Sequence, residues 1–189
     1  MELQVKDACL RMLGAEDPDT LLAIENLVIM YSNQGQWKEA EELELQVMDG
    51  RLKVLGAEHP HTLLAMGNLA GTYRDQGRWK EAEELELQVM DGRLKVLEAE
   101  HPGTLVTMGN LVTTYRKQGR WKEAEELELQ VMNGRLKVFG AEHPHTLSAM
   151  GNLAITYRNQ GRWKEAEELE LQVKDRRLKV LGAEHPDTL

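Results

Sequence analysis

The chain has 189 residues, of which 41% are hydrophobic and 29% are charged, and its formal net charge is −9. This acidic balance argues against nucleic acid as a partner, because sequence-independent phosphate binding needs a basic footprint. No apolar run approaches the roughly 20 residues of a membrane span, so we expect no membrane insertion. The single cysteine, Cys9, cannot form an intrachain disulfide and indicates a reducing, cytoplasmic location.

A unit of 42 residues recurs along the chain almost verbatim, with Trp37, Trp79, Trp121 and Trp163 at constant spacing. A fixed period of this size is typical of a solenoid, in which each unit buries its apolar face only by stacking on its neighbours. We therefore predict one repeat array over residues 1–189, expected to be a fragment of a longer array. Its parts are a half repeat with only a second helix (2–17), four full repeats (18–59, 60–101, 102–143, 144–185) and the start of a truncated repeat (186–189).

Each repeat is predicted to contain two helices, as the copy at residues 60–101 illustrates. Pro60 suits the first position of a helix, where its missing N–H costs nothing, and His59 is then the expected N-cap. Gly77 is expected to end this helix in a left-handed conformation. A second helix begins near Trp79 and contains Gly92 in its interior, which indicates a close approach between helices.

Residues 68–85 (NLAGTYRDQGRWKEAEEL) resemble the tetratricopeptide repeat, with leucine, small, tyrosine, glycine and alanine residues at its signature positions. Residues 51–63 resemble the longer 42-residue variant of kinesin light chains, and similar arrays occur in fungal and bacterial signalling NTPases of the NB-ARC type. One position departs from the family: glutamate replaces the usual aromatic residue four positions after the alanine. These glutamates are Glu44, Glu86, Glu128 and Glu170, and Leu43 and its copies are expected to fill the aromatic space.

The resemblance implies an all-α fold, a right-handed superhelical solenoid of antiparallel helix pairs whose first helices line a concave groove. In the family this groove binds a protein or peptide, and an asparagine hydrogen-bonds to the backbone of the extended ligand. The implied groove residues here are Asn26, Asn68, Asn110, Asn152, Arg74, Arg116, Arg158, Asp75, Lys117, Asn159, Leu64 and Val106. The arginines could add bidentate contacts to carboxylates, and Ser32 interrupts their row in the first full repeat.

Among the three later copies, the first helices vary mainly at groove positions, as at Leu64, Val106 and Ser148, whereas the second helices scarcely vary. One hypothesis is that the scaffold is held constant while the groove diversifies for recognition. The alternative is neutral drift after recent duplication.

Other motifs carry little chemistry. The pairs His59/His61 and His143/His145 are a weak metal signal, because a structural zinc site uses four ligands. The EAEELE runs, such as residues 39–44, are interpreted as solvated charge favoured by the helix dipole. No phosphate-binding loop, nucleophile elbow or zinc-protease motif is present in the sequence, so we expect neither catalysis nor a cofactor.

The sequence therefore predicts a protein-interaction scaffold that binds a protein or peptide along its groove, as the sensor arm of a larger signalling protein. The alternative is a structural module whose uncapped ends self-associate head to tail into oligomers or superhelical fibres.

Overall fold

The computed structural model describes residues 12, 14 and 17–182, and within this part the chain is helical without any strand. The predicted all-α class is confirmed. The half repeat predicted at residues 2–17 lies almost entirely outside the described residues, as do Cys9 and residues 186–189. The eight described helices are α1 (Pro18–Asn33), α2 (Trp37–Leu55), α3 (Pro60–Asp75), α4 (Trp79–Val96), α5 (Pro102–Lys117), α6 (Trp121–Phe139), α7 (Pro144–Asn159) and α8 (Trp163–Leu181).

The chain divides into two compact units, Met1–Val96 and Leu97–Leu189. In the first unit α1 packs on α2, α2 on α3 and α3 on α4. The second unit repeats this order with α5 on α6, α6 on α7 and α7 on α8. Within each unit, the second helix of the earlier repeat thus contacts both its own partner and the first helix of the later repeat.

Local capping explains where the first helices begin and end. Asp17 Oδ1 accepts a hydrogen bond from Asp19 N–H at 2.9 Å, and His59 Nδ1 accepts one from His61 N–H at 3.2 Å. The predicted N-cap at His59 is therefore confirmed, with Pro60 at the first helical position. After α3, Gly77 has φ of +75°, the left-handed conformation that was expected to terminate the helix.

The interior glycine of a second helix marks close helix packing, as predicted. A Cβ atom added to Gly92 in α4 would lie 2.6 Å from Cδ2 of Leu63 in α3. The equivalent distance from Gly134 in α6 to Leu105 Cδ2 in α5 is 2.7 Å. Any side chain larger than hydrogen would push the two helices apart or displace a buried leucine.

A polar clamp fastens neighbouring repeats within each unit. Gln76 Nε2 donates hydrogen bonds to the Trp37 carbonyl at 3.1 Å and to Glu41 at 2.8 Å. Arg78 donates to the same Glu41 carboxylate at 2.7 Å and stacks over Tyr73, with its guanidinium carbon 4.1 Å from the ring centre. These contacts link the loop after α3 to the start of α2 in the preceding repeat.

The second unit repeats this clamp at the equivalent positions. Gln160 donates to the Trp121 carbonyl at 3.0 Å, and Arg162 donates to Glu125 at 2.6 Å.

None of the described helices combines the length and hydropathy required to cross a bilayer.

Candidate functional site

The predicted asparagines occupy the same position on each first helix. Asn26, Asn68 and Asn152 are exposed, and Asn110 is half-buried. The residue after each asparagine is a leucine with at most 1% exposure, which anchors the helix in the core. The amide groups therefore lie on the side of the first helices that faces away from the core.

Exposed apolar side chains accompany the asparagines in the first unit. Leu22 and Ile29 flank Asn26 on α1 at helical spacing, and Leu64 precedes Asn68 on α3 by one turn. These three apolar residues are 46–59% exposed. We refer to this surface, made by Leu22, Asn26, Ile29, Leu64 and Asn68, as the asparagine face of the first unit.

A pocket of about 190 Å³ opens on the asparagine face between α1 and α3. Asn68, Ile29 and Leu64 contribute to its wall, and Glu44 and Val47 of α2 line it from the core side. Its lining is mostly apolar, with two carboxylates, those of Glu25 and Glu44. Glu25 is neutralised by Arg51, whose Nη2 lies 2.7 Å from its Oε1.

The second unit presents a larger and more basic cavity of about 540 Å³ between α7 and α8. Its lining includes Asn152, Ile155, Arg158, Lys174 and Arg177. Two other predicted groove residues on this unit, Val106 and Lys117, are also exposed. The exposed Asn159 side chain instead donates a hydrogen bond to the Ile155 carbonyl at 2.7 Å.

The predicted groove arginines contact the chain's own carboxylates. Each one reaches from a first helix to the glutamate twelve residues later, on the second helix of the same repeat. The N···O distances are 3.0 Å for Arg74–Glu86, 3.7 Å for Arg116–Glu128 and 2.5 Å for Arg158–Glu170. Binding of partner carboxylates by these arginines stays a prediction, as do the roles of the other groove residues.

The interpretation of the acidic runs as solvated charge is wrong for one glutamate in each of three repeats. Glu44, Glu86 and Glu128 are only 7%, 2% and 3% exposed. They occupy the position where the family places a buried aromatic residue, and that departure was the signal for their burial. Leu43 is also buried, whereas its copies Leu85, Leu127 and Leu169 are half-buried, so the filling of the aromatic space by these leucines stays a prediction.

Burial changes the acidity of these carboxyl groups. It raises the pKa of Glu44 to about 7 from an ordinary value of 4.5; the Thr72 hydroxyl acts in the opposite direction, and the carboxylates of Glu41 and Asp75 add to the rise. Burial also raises the pKa of Glu128, where Thr156 and Arg116 oppose the shift. An uncompensated carboxylate in a poorly solvated site favours its protonated form.

The histidines have structural roles. His59 and His143 cap α3 and α7, and the His143 ring stacks on Phe139 with ring centres 4.6 Å apart. Across the described part of the chain, no group of three or more histidine, cysteine, aspartate or glutamate residues is arranged to hold a metal ion.

These features define a class of protein: a helical repeat array whose first helices present a regular row of polar and apolar side chains. Models of the tetratricopeptide repeat match residues 19–95, 104–145 and 146–187. The chain belongs to the tetratricopeptide repeat family.

Solved structures identify the variant of the repeat. One solved structure contains TPR-like repeats of a Podosopora anserina kinesin-light-chain-like protein, and those repeats are nearly identical to one another. This chain shares 35% sequence identity with that structure, with a TM-score of 0.86. That match covers 95% of this chain and 85% of the other, and a second solved structure of those repeats, a point variant, matches equally well over 94% and 84%. The predicted kinesin-light-chain-like array with repeats of about 42 residues is thereby confirmed.

A more distant relative supports the fold alone. BtubC (BKLC) from P. vanneervenii is 16% identical and has a TM-score of 0.79, over 100% of this chain and 74% of that one. No curated protein sequence matches this chain.

Proposed function

We propose that this chain is a protein-interaction scaffold that binds an extended segment of a partner protein along the side of its first helices. The observation that carries the proposal is the asparagine at one helical position in every described repeat, exposed in three of four. An amide offers both a donor and an acceptor, which matches the paired N–H and C=O groups of an extended backbone. Tetratricopeptide repeat arrays are typically non-enzymatic scaffolds, which agrees with binding without catalysis.

Apolar side chains beside the asparagines support the same function. Leu22, Ile29 and Leu64 cluster on the asparagine face of the first unit although they are 46–59% exposed. Contiguous exposed apolar surface marks interaction sites more often than isolated apolar residues do. Backbone hydrogen bonds to the amides and apolar contacts to side chains would together hold a peptide without demanding one particular sequence.

The test starts from a randomised heptapeptide display library selected on the full chain. Binding of a selected, fluorescently labelled peptide is then measured by anisotropy against the double variant Asn26→Ala/Asn68→Ala. We expect affinity to fall by at least about tenfold, because two hydrogen-bonding amides are lost.

A matched control is Glu42→Ala, an exposed residue of α2 on the side opposite its buried stripe. This variant should bind the peptide as the unaltered chain does. Equal affinity of the asparagine variant and the unaltered chain would show that the peptide binds elsewhere, and the proposal would be withdrawn.

A second candidate function is self-association by stacking. Trp163 and Leu171 of α8 are 66% and 54% exposed, which favours a further contact on this helix. Lys174 and Arg176 stand where the earlier copies have Met90 and Gly92, and these charges oppose tight helix packing. Light scattering over a range of concentrations separates the candidates, since a monodisperse monomer at high concentration eliminates stacking.

The setting of the array is a separate proposal. We infer from the resemblance that the array acts as the ligand-sensing arm of a signalling NTPase in a reducing compartment. Co-purification of an NTPase domain encoded in the same reading frame would test this assignment.

A further inference from the structure

The buried glutamates differ in one respect that bears on ligand choice. Three repeats supply an arginine from the first helix to the glutamate of the second, and in the first unit Arg74 lies 3.0 Å from the nearly inaccessible Glu86. The equivalent position for Glu44 is Ser32, whose side chain is too short to reach across two helices and carries no charge. Glu44 is thus the buried member of the series without an arginine of its own.

Nothing else in the described part of the chain replaces the missing cation. Oε2 of Glu44 is buried and has no hydrogen-bond partner among the described residues. The neighbouring carboxylates of Glu41 and Asp75 make the local potential more negative. Arg51 pairs with the pocket residue Glu25, with its Nη2 2.7 Å from the Glu25 Oε1. A buried carboxyl group with an unused oxygen is costly unless a partner satisfies it.

Glu44 lies at the wall of a pocket that opens to the outside of the protein. Glu44 lines the pocket of about 190 Å³ that opens between Asn68, Ile29 and Leu64 on the asparagine face. This volume is below the roughly 300–1,000 Å³ of pockets for drug-sized ligands, so it suits a single side chain. Apolar walls with an acidic end match a side chain that has an aliphatic stem and a cationic tip.

We propose that this pocket receives an arginine side chain of the bound partner, whose guanidinium takes the place at Glu44 that Arg74 takes at Glu86. This inference rests on the proposed binding of an extended peptide along the asparagine face. Arginine fits better than lysine because its guanidinium is planar, weakly hydrated and able to bind a carboxylate through two N–H groups. The other repeats also place an arginine beside this glutamate, with single N···O distances of 2.5–3.7 Å.

Three pools of labelled heptapeptides test the proposal. The central residue is arginine, lysine or citrulline, a neutral isostere of arginine, and all other positions are randomised. We expect the arginine pool to bind the full chain at least about tenfold more tightly than the citrulline pool, because a buried charged hydrogen bond is made only by arginine. Equal binding of the lysine and arginine pools would contradict the assignment to arginine.

Two variants test the site itself. Glu44→Gln should reduce binding of the arginine pool to the level of the citrulline pool and leave the citrulline pool unchanged. Ser32→Arg should have the same effect although it retains Glu44, because an internal guanidinium then occupies the site. Glu42→Gln makes the same chemical change on the exposed side of α2 and should alter nothing. Circular dichroism confirms that each variant keeps its helical content.

The outcomes also distinguish this proposal from the one on which it rests. If all three pools bind equally and Asn68→Ala weakens all of them, the asparagine face binds peptides and the arginine pocket is refuted. If the Ser32→Arg variant binds the arginine pool as tightly as the unaltered chain, the arginine pocket is again refuted. If no pool binds, both proposals fail.

Discussion

Arg74 on α3 and Glu86 on α4 form an ion pair with 3.0 Å between Nη1 and Oε1, and the Glu86 side chain is only 2% exposed. The pair joins the two helices of one repeat from the side that carries the asparagines. Arg74 therefore serves the stability of the repeat, whatever contact it makes with a partner. Where the arginine is absent, as at Ser32, the repeat retains a buried acid available to a ligand.

Loss of this arginine should destabilise the protein. Arg74→Ala leaves Glu86 buried without its guanidinium, and we expect the free energy of unfolding to fall by about 2 kcal/mol. The matched variant is Arg158→Ala, because Glu170 is 43% exposed and water can replace the arginine. That change should cost less than about 1 kcal/mol although its pair is shorter. Urea unfolding followed by circular dichroism measures both, and equal losses would contradict the role of burial.

The buried acid predicts a pH dependence of stability. The pKa of Glu44 is about 7 in the folded protein against an ordinary value of 4.5. Between these values the folded state holds more protons than the unfolded state, so the free energy of unfolding falls as pH rises. We expect Glu44→Gln to gain on the order of 2–3 kcal/mol relative to the unaltered chain between pH 4.5 and pH 8.

Two controls accompany this pH experiment. Glu41 and Asp75, the carboxylates whose charges act on Glu44, are retained in every variant. Glu42→Gln removes an exposed carboxyl from the same helix and should show no such pH-dependent gain. Ser32→Arg should also remove the pH dependence, because a nearby guanidinium favours the ionised carboxylate. A pH-independent effect of Glu44→Gln would contradict the raised pKa.

Glycine positions provide a third prediction. Gly92→Ala should reduce the free energy of unfolding by about 1–3 kcal/mol, because the added Cβ would lie 2.6 Å from a buried leucine side chain. Gly67, in the middle of α3, has nothing within 4 Å of an added Cβ. Gly67→Ala should therefore stabilise the helix by up to about 1 kcal/mol. Thermal unfolding of the two variants should shift in opposite directions, and a shared direction would refute the packing argument.

The polar clamp between neighbouring repeats provides a fourth prediction. Gln76→Ala removes the hydrogen bonds to the Trp37 carbonyl and to Glu41, and we expect a loss of about 1 kcal/mol. In hydrogen exchange, amides near the start of α2 should lose protection together with those of the loop after α3. Loss confined to that loop would mean that the clamp does not couple the two repeats.

Local residues determined much of the fold before any packing was considered. A proline preceded by His59 or Asp17 specifies a helix start, because that side chain accepts a hydrogen bond from a backbone N–H two residues later. Gly77 specifies the helix end through a positive φ. These interactions span at most a few residues. The same local sequence therefore starts or ends a helix at the equivalent position of each described repeat. The constant period then required helix pairs to pack on their neighbours.

Tertiary structure decided which glutamates of the acidic runs are buried and which of them pair with an arginine. Glu44 and Glu42 belong to the same acidic run, yet only Glu44 points into the packed interface. Whether an arginine reaches such a glutamate depends on two helices crossing at the right depth, twelve residues apart in the chain. Burial and ion pairing depend on neighbours from other helices, which a one-dimensional pattern of charges does not contain.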